Sequence, residues 1–440
     1  MWMRLSVALV VACGSKSEPP RPGSNVAADG GLTPADPTKR KTDTRNGFFS
    51  NGLPTYIIGT TGDEHSDRAI SGQAELIRSL LTPESKKLKD TDITGAWPAN
   101  PIVYGGAHVN ALIASIAADL PFSITAGKLT IGDRTFEGDG LALLTVVPAR
   151  AGKYPEFLLF AGTGTPGVAE INSPTVAKVD APIVIADAFG ALVVGSWIVG
   201  ADGIATAKLD KPGRRVGWRE TVKTIGRQES PGPGNASVKF RLYEGSPVDK
   251  DAPLIALAEK GITTALAKLA PDRPVAFTVY IHPDQRSKAT LTGNGGAGHV
   301  AAFALTLHVF AHDGLERLTA HEATHVITPQ IWPPPGSPLF GEGIAVWTAG
   351  GYAGQPLASA RGKIKPLPIR EMLGSKFRAA PEGEAYPFAG IVVDVAVAKL
   401  GLANVRDHLY GATTATWDDA CKAAGTTAAE LDAAVAAALR

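Results

Sequence analysis

His321-Glu322-Ala323-Thr324-His325 sets two histidines four positions apart with a carboxylate beside the first. On a helix, positions i and i+4 project from one face about one turn apart, so two imidazoles there can hold one metal ion. A glutamate next to the first histidine then reaches a water at that ion and can take its proton, which is the chemistry of metal-assisted hydrolysis. Two ligands do not complete such a site. A catalytic zinc needs a third protein ligand and keeps its fourth position open. Glu342, 17 positions after His325, is the candidate for that third place.

The neighbouring residues predict the elements these side chains need. Asp313-Gly314-Leu315-Glu316 reads as a helix cap with a glutamate three residues after the aspartate. Leu315, Leu318, Val326 and Ile327 supply apolar positions, and Pro329 is expected to close the helix. A second helix is expected from about Leu339 to Gly350-Gly351, aiming Glu342 back at the first. Upstream, Ser237 to Tyr243, Pro274 to Ile281 and Ala302 to Phe310 read as strands, with Leu254 to Leu269 as a helix between the first two. Downstream, Tyr386-Pro387-Phe388-Ala389-Gly390 leads into an apolar helix from Ile391 to Leu400, and Asp407 to Tyr410 and Ala428 to Arg440 are helical.

With Phe340-Gly341-Glu342-Gly343-Ile344-Ala345 following the histidine pair, this stretch resembles the gluzincins, the peptidase MA-like group related to thermolysin and the zinc aminopeptidases. The resemblance covers roughly 236–440 and implies an α+β zincin-like domain, a small sheet with an edge strand and then helices. It implies His321, His325 and Glu342 as zinc ligands and Glu322 as the general base. It also implies that an extended peptide or protein substrate docks on an edge strand, placed at Ala302 to Phe310, where unpaired N–H and C=O groups are on offer. The donor for the developing oxyanion is a tyrosine or histidine in such enzymes; Tyr386 fits by its position before the helix, with Tyr352 and His408 as rivals. One departure stands out. Thermolysin-like enzymes carry an aspartate four residues after the third ligand, where this chain has Val346, so no carboxylate partner for a zinc-bound histidine is identified.

Plainer roles exist for the same residues. The two imidazoles could be satisfied by hydrogen bonds, Glu342 could serve as a helix-start carboxylate, and Tyr386 could be a packed aromatic. His299, His308 and His312 read as strand-face or solvated histidines. Beside the peptidase reading stands a catalytically silent chain that uses the same fold for binding.

The N-terminus addresses location. Met1-Trp2-Met3-Arg4 precedes an apolar run from Leu5 to Ala12 that is too short to span a bilayer and has the form of a signal-peptide core. The residues before Cys13 resemble a bacterial lipobox, which implies a lipidated Cys13, a signal peptide over 1–13 and a membrane anchor at the cell envelope, periplasmic or outer-surface. Residues 14–46 are dense in Pro, Gly, Ser, Asp and Lys and read as a flexible spacer. Cys421 is the only other cysteine, so a buried helical thiol is expected and no disulfide.

The remaining residues suffice for two domains. Residues 47–230 alternate strands and helices: Thr55 to Thr61, a helix from Ser66 to Leu81, Pro101 to Gly106, a helix from Val109 to Leu120, then apolar runs at Leu141 to Val147, Phe157 to Ala161 and Ile183 to Ala186. That pattern predicts an α/β domain with a mostly parallel sheet and no legible function. Ala161-Gly162-Thr163-Gly164-Thr165-Pro166-Gly167 hints at a phosphate-binding turn but lacks the rest of a dinucleotide fingerprint. Pro231-Gly232-Pro233-Gly234 marks the expected boundary. With 43 basic and 42 acidic residues the charge is balanced, which argues against a nucleic-acid partner.

Overall fold

The computed structural model describes residues 44–211, 216–226, 232–301 and 304–440; the expected signal peptide, Cys13, nearly all of the expected spacer, Pro231 and the start of the Ala302 to Phe310 strand lie outside the described residues. Contacts divide the described residues into two compact units, one of those from 44 to 216 together with 289–293, the other of those from 217 to 288 and from 294 to 440.

The first unit is built on an eight-stranded sheet. Its elements run α1 (Arg45–Phe49), β1 (Thr55–Ile58), α2 (Glu64–Leu81), β2 (Lys87–Lys89), β3 (Pro101–Tyr104) and α3 (Ala111–Ile116). There follow β4 (Phe122–Thr125), β5 (Lys128–Ile131), β6 (Arg134–Glu137), β7 (Ala142–Val147), β8 (Phe157–Gly162), α4 (Thr165–Glu170), α5 (Pro174–Ala177), β9 (Ile183–Asp187), β10 (Gly190–Val199) and β11 (Ala205–Leu209). The order is β11-β10-β9-β7-β8-β3-β1-β2, and β4, β5 and β6 form a separate three-stranded sheet that the sequence pattern did not reveal. β7 and β8 are buried at every position, which is why they read as continuous apolar runs.

The expectation of a mostly parallel sheet is corrected here. β2, β1, β3 and β8 pair in parallel, but β8-β7, β7-β9, β9-β10 and β10-β11 are antiparallel. For β9 and β10 the reason is connection length: only Ala188 and Phe189 separate them, too few residues for a crossover. The glycine-rich turn after β8 is explained by packing. A Cβ at Gly167 would lie 2.0 Å from the Leu141 carbonyl oxygen, and one at Gly162 would lie 2.4 Å from the Val168 nitrogen. These glycines let α4 press on the chain before β7, so they give no support to nucleotide binding.

The second unit begins with β12 (Trp218–Ile225), which pairs antiparallel with β13 (Ala236–Tyr243) over eight residues. This eight-residue ladder places 218–225 in the second sheet, upstream of the Pro231–Gly234 stretch. Then come α6 (Asp251–Leu269), β14 (Val275–His282), α7 (Gln285–Thr292, of which 289–292 group with the first unit), β15 (His299–Ala301), β16 (Thr306–Phe310), α8 (Leu315–Ile331) and α9 (Pro338–Ala349). The chain ends in α10 (Ile369–Met372), α11 (Ser375–Ala379), α12 (Glu382–Leu400), α13 (Leu402–Asn404), a π-turn at Val405–Leu409, α14 (Trp417–Ala423) and α15 (Ala428–Ala438). Tyr386 therefore lies inside a helix instead of before one. Sheet order is β12-β13-β14-β16-β15. Thr306–Phe310 is thus an interior strand, paired on both sides, and the edge near the histidine helix is β15. The short β15 was hidden because His299-Val300-Ala301 carries too little pattern to stand out from the glycines before it.

One face of this sheet packs its Val, Phe, Leu and Ile side chains with α6, α8, α9 and α12 in a single core. Cys421 is buried in α14 and free, with its thiol pushed up to about 11 by burial. Among the described residues no helix is long and apolar enough to cross a membrane.

On the other face, register brings Tyr280, His308 and His299 side by side across β14, β16 and β15. Their rings stack, Tyr280 on His308 at 4.7 Å and His308 on His299 at 4.6 Å, and His282 Nε2 lies 3.2 Å from His308 Nδ1. Burial pushes all three imidazoles down, His282 to about 3, and the Lys288 charge adds to it. In an unfolded chain these histidines titrate near 6.5. As pH falls the unfolded state therefore binds protons first. Their stabilising contribution is full above about pH 6.5 and is lost as pH falls from there toward 3, by at most about 1.4 kcal/mol per pH unit for each group. Thermal unfolding followed by circular dichroism is expected to show a midpoint that drops from pH 7 to pH 4.5, less steeply in His308→Phe. A midpoint flat across that window would contradict a buried neutral stack.

Candidate metal centre

α8 carries the histidines and is held rigid from both sides. Its start differs from expectation: Gly314 is the cap residue and the Asp313 side chain makes no capping bond; instead His312 Nδ1 accepts from the Gly314 N–H at 2.9 Å. Pro329 does not end the helix, which continues to Ile331. A proline near a C-terminus removes one N–H donor without preventing a further turn. α6 runs so close that a Cβ on Gly261 would lie 2.2 Å from the Glu316 carbonyl oxygen. α9 begins where Ser337 accepts the Phe340 N–H, has Pro338 in its first turn, and ends at Gly350 in the left-handed region. Glu342 sits in the second turn of that helix.

The two helices bring three donors together. His321 Nε2 lies 3.2 Å from His325 Nε2, His325 Nε2 lies 3.2 Å from Glu342 Oε2, and His321 Nε2 lies 3.5 Å from the same oxygen. Donors held tetrahedrally at roughly 2.0–2.1 Å from zinc stand about 3.3–3.4 Å apart. The triangle fits that ion. Among the described residues this is the one cluster of three metal-ligating side chains. His282, His299 and His308 gather elsewhere, and His312 is occupied at the helix start.

Electrostatics agree with a cation at this place. Burial pushes the Glu342 carboxyl up, but the His325 charge and the bonds to His321 and His325 overcome it and leave the group well below the usual carboxylate range. Burial pushes His325 down, yet Glu342 beside it wins and raises it. A fully buried carboxylate thus draws positive charge onto His325.

Glu322 is in a different condition. It is fully buried, and neither carboxylate oxygen meets a hydrogen-bond donor among the described residues. Burial raises its pKa, against the pull of His321 and His325. The segment before β15 runs directly over it: a Cβ on Gly298 would lie 2.4 Å from Glu322 Oε1. A cavity of about 930 Å³ adjoins His321 and is lined by Ala297, His312, Asp313, Arg317, Leu318 and Tyr352 among others.

Tyr386 is 3% exposed and packs in an aromatic group, stacked on Tyr352 at 4.7 Å and tilted against Phe377 at 5.6 Å. Tyr352 lines the cavity and its hydroxyl donates to Glu382 at 3.4 Å. His408 lies on the π-turn. Tyr410, which sequence reading passed over, is buried with its hydroxyl 3.4 Å from Thr328 Oγ1; its pKa is pushed up to about 12 by burial, with the Glu342 charge adding to the rise. Val346, where an aspartate was expected by resemblance, is buried against Gly390 of α12.

No family model and no curated protein matches this sequence. Among solved structures the chain is similar to an M1 zinc metallopeptidase from Deinococcus radiodurans, with 14% identity and a TM-score of 0.31. A glutamate-to-alanine variant from the same organism gives 12% and 0.29, and a two-domain M1 zinc metallopeptidase variant bound to L-arginine gives 12% and 0.27. Each match covers 56% of this chain, which spans 60% of those chains. At such scores the weight rests on the side-chain triangle itself.

Metal analysis after dialysis is expected to give about one zinc per chain for the native protein and a small fraction of that for Glu342→Ala, which leaves two imidazoles. Full zinc retention in Glu342→Ala would remove Glu342 from the ligand set.

Proposed function

We propose that this protein is a zinc-dependent peptidase in which His321, His325 and Glu342 hold the metal and Glu322 is the general base. The observation that carries the reading is the donor triangle of 3.2, 3.2 and 3.5 Å with an unbonded buried carboxylate beside it. When bound, zinc supplies a Lewis acid that acidifies water and polarises a carbonyl. Glu322 takes the proton from the attacking water and delivers it to the departing amine nitrogen. Burial suits both halves of that task, since a carboxyl raised toward neutrality holds a proton long enough to pass it on. The substrate peptide lies extended along β15, the edge strand next to Gly298 and Glu322, which has no further strand partner among the described residues. Tyr386 is the oxyanion-donor candidate of the sequence reading, and Tyr410, buried on the side of Thr328 with the Glu342 charge acting on it, is a second.

Glu322→Gln keeps the shape and loses the base, so kcat on a peptide library is expected to fall by about 10²–10⁴-fold with zinc content unchanged. Gly298→Ala pushes a methyl into the same carboxylate and is expected to lower kcat with zinc retained. Native protein that holds zinc and cleaves no peptide would favour a silent binding module. The envelope location is proposed from the residues around Cys13: Cys13→Ser is expected to abolish lipid incorporation and move the protein from the membrane to the soluble fraction, and unchanged fractionation would contradict the anchor.

A further inference from the structure

Lys288, on α7, has no solvent exposure, an unusual position for a lysine. Its ammonium donates to the Gly296 carbonyl at 3.0 Å, the Asn294 carbonyl at 3.2 Å and Asn294 Oδ1 at 3.4 Å. Asn294 Oδ1 also accepts the Gly296 N–H at 2.8 Å, and Gln285, one turn earlier on α7, donates to the Gly295 carbonyl at 2.7 Å. Two side chains of one helix therefore fasten three consecutive residues. That turn leads straight into Ala297, Gly298 and β15. Gly298 is the residue whose α-carbon lies against the Glu322 carboxylate.

A buried ammonium held by neutral oxygens is costly, and an apolar side chain of similar length fills the same space more cheaply. Packing alone does not account for a lysine here. What an ammonium supplies is three directed donors and a charge, and the carboxylate that acts on that charge is Glu322. Burial lowers Lys288 to about 8, with Glu322 opposing the fall.

We infer that Lys288 is a positioning residue of the metal centre: its ammonium locks the 294–296 turn so that Gly298 and the edge strand β15 are held in register against Glu322. The inference rests on the peptidase reading for its catalytic meaning, but its structural content stands on these contacts.

Hydrogen exchange read by mass spectrometry on the full chain tests it, with Lys288→Met as the direct variant and Asn294→Ala, which removes the Oδ1 that accepts from both the ammonium and the Gly296 N–H, as the second. Both are expected to speed exchange of the amides of 295–301 by about tenfold or more while 315–331 stays protected and zinc content holds. In peptide cleavage, KM is expected to rise by about tenfold in each, with a smaller change in kcat, because the strand that docks substrate has lost its register. Unchanged exchange in 295–301 in both variants overturns the inference, and so does equal loss of protection through 315–331, which would mark a general packing role. If native protein cleaves nothing, the peptidase reading fails while the exchange measurement still decides the place of Lys288.

Discussion

A carboxylate can be buried only where positive charge or hydrogen-bond donors compensate for lost water, and Glu342 is 1% exposed between two imidazole nitrogens. The rest of the second unit is arranged around that requirement. α8 must present two histidines on one face without bending, and α9 must cross it at the height where Glu342 meets them. Gly261 lets α6 lie directly on the back of α8, and Gly343 lets α9 lie on α12, where a Cβ would come 2.7 Å from the Ala389 carbonyl oxygen. Close helix contacts of this kind fix backbone positions more tightly than interleaved side chains do. A site whose donors stand within a few tenths of an ångström of tetrahedral spacing depends on that stiffness.

The second requirement is contrast between two glutamates about twenty positions apart in sequence. Glu342 is held ionised by its histidine neighbours. Glu322 shares their surroundings yet receives no hydrogen bond, and burial lifts its pKa. Two carboxyl groups driven in opposite directions by their environments can divide the work of holding a cation and moving a proton. The Lys288 charge adds to the pull that limits how far that carboxyl can rise.

The donor set was legible in the sequence because it is local: helical spacing joins His321 to His325, and the helix restarted by Ser337-Pro338 carries Glu342. Two other features were not. The edge strand was assigned to Ala302 to Phe310, but the strand there, Thr306–Phe310, is interior and the edge is His299–Ala301, three residues behind a glycine run. Strand order depends on pairings between distant segments, which hydrophobic pattern does not encode. Lys288 and Tyr410 were invisible for a similar reason. Their neighbours, Asn294 and Gly296 for one and Thr328 for the other, are set by how loops fold over helices. In the first unit, buried apolar runs suggested parallel strands, and the two-residue link between β9 and β10 showed how little burial says about direction.

The central claim is that His321, His325 and Glu342 share one divalent ion. Crystals of zinc-loaded protein, with anomalous data collected on both sides of the zinc absorption edge, test it most directly. The account predicts a single strong peak at about 2.0–2.2 Å from both Nε2 atoms and the Glu342 carboxylate, with Glu322 nearby but not bound. A peak elsewhere, or a Glu342 carboxylate turned away with the imidazoles bonded only to protein, would contradict it.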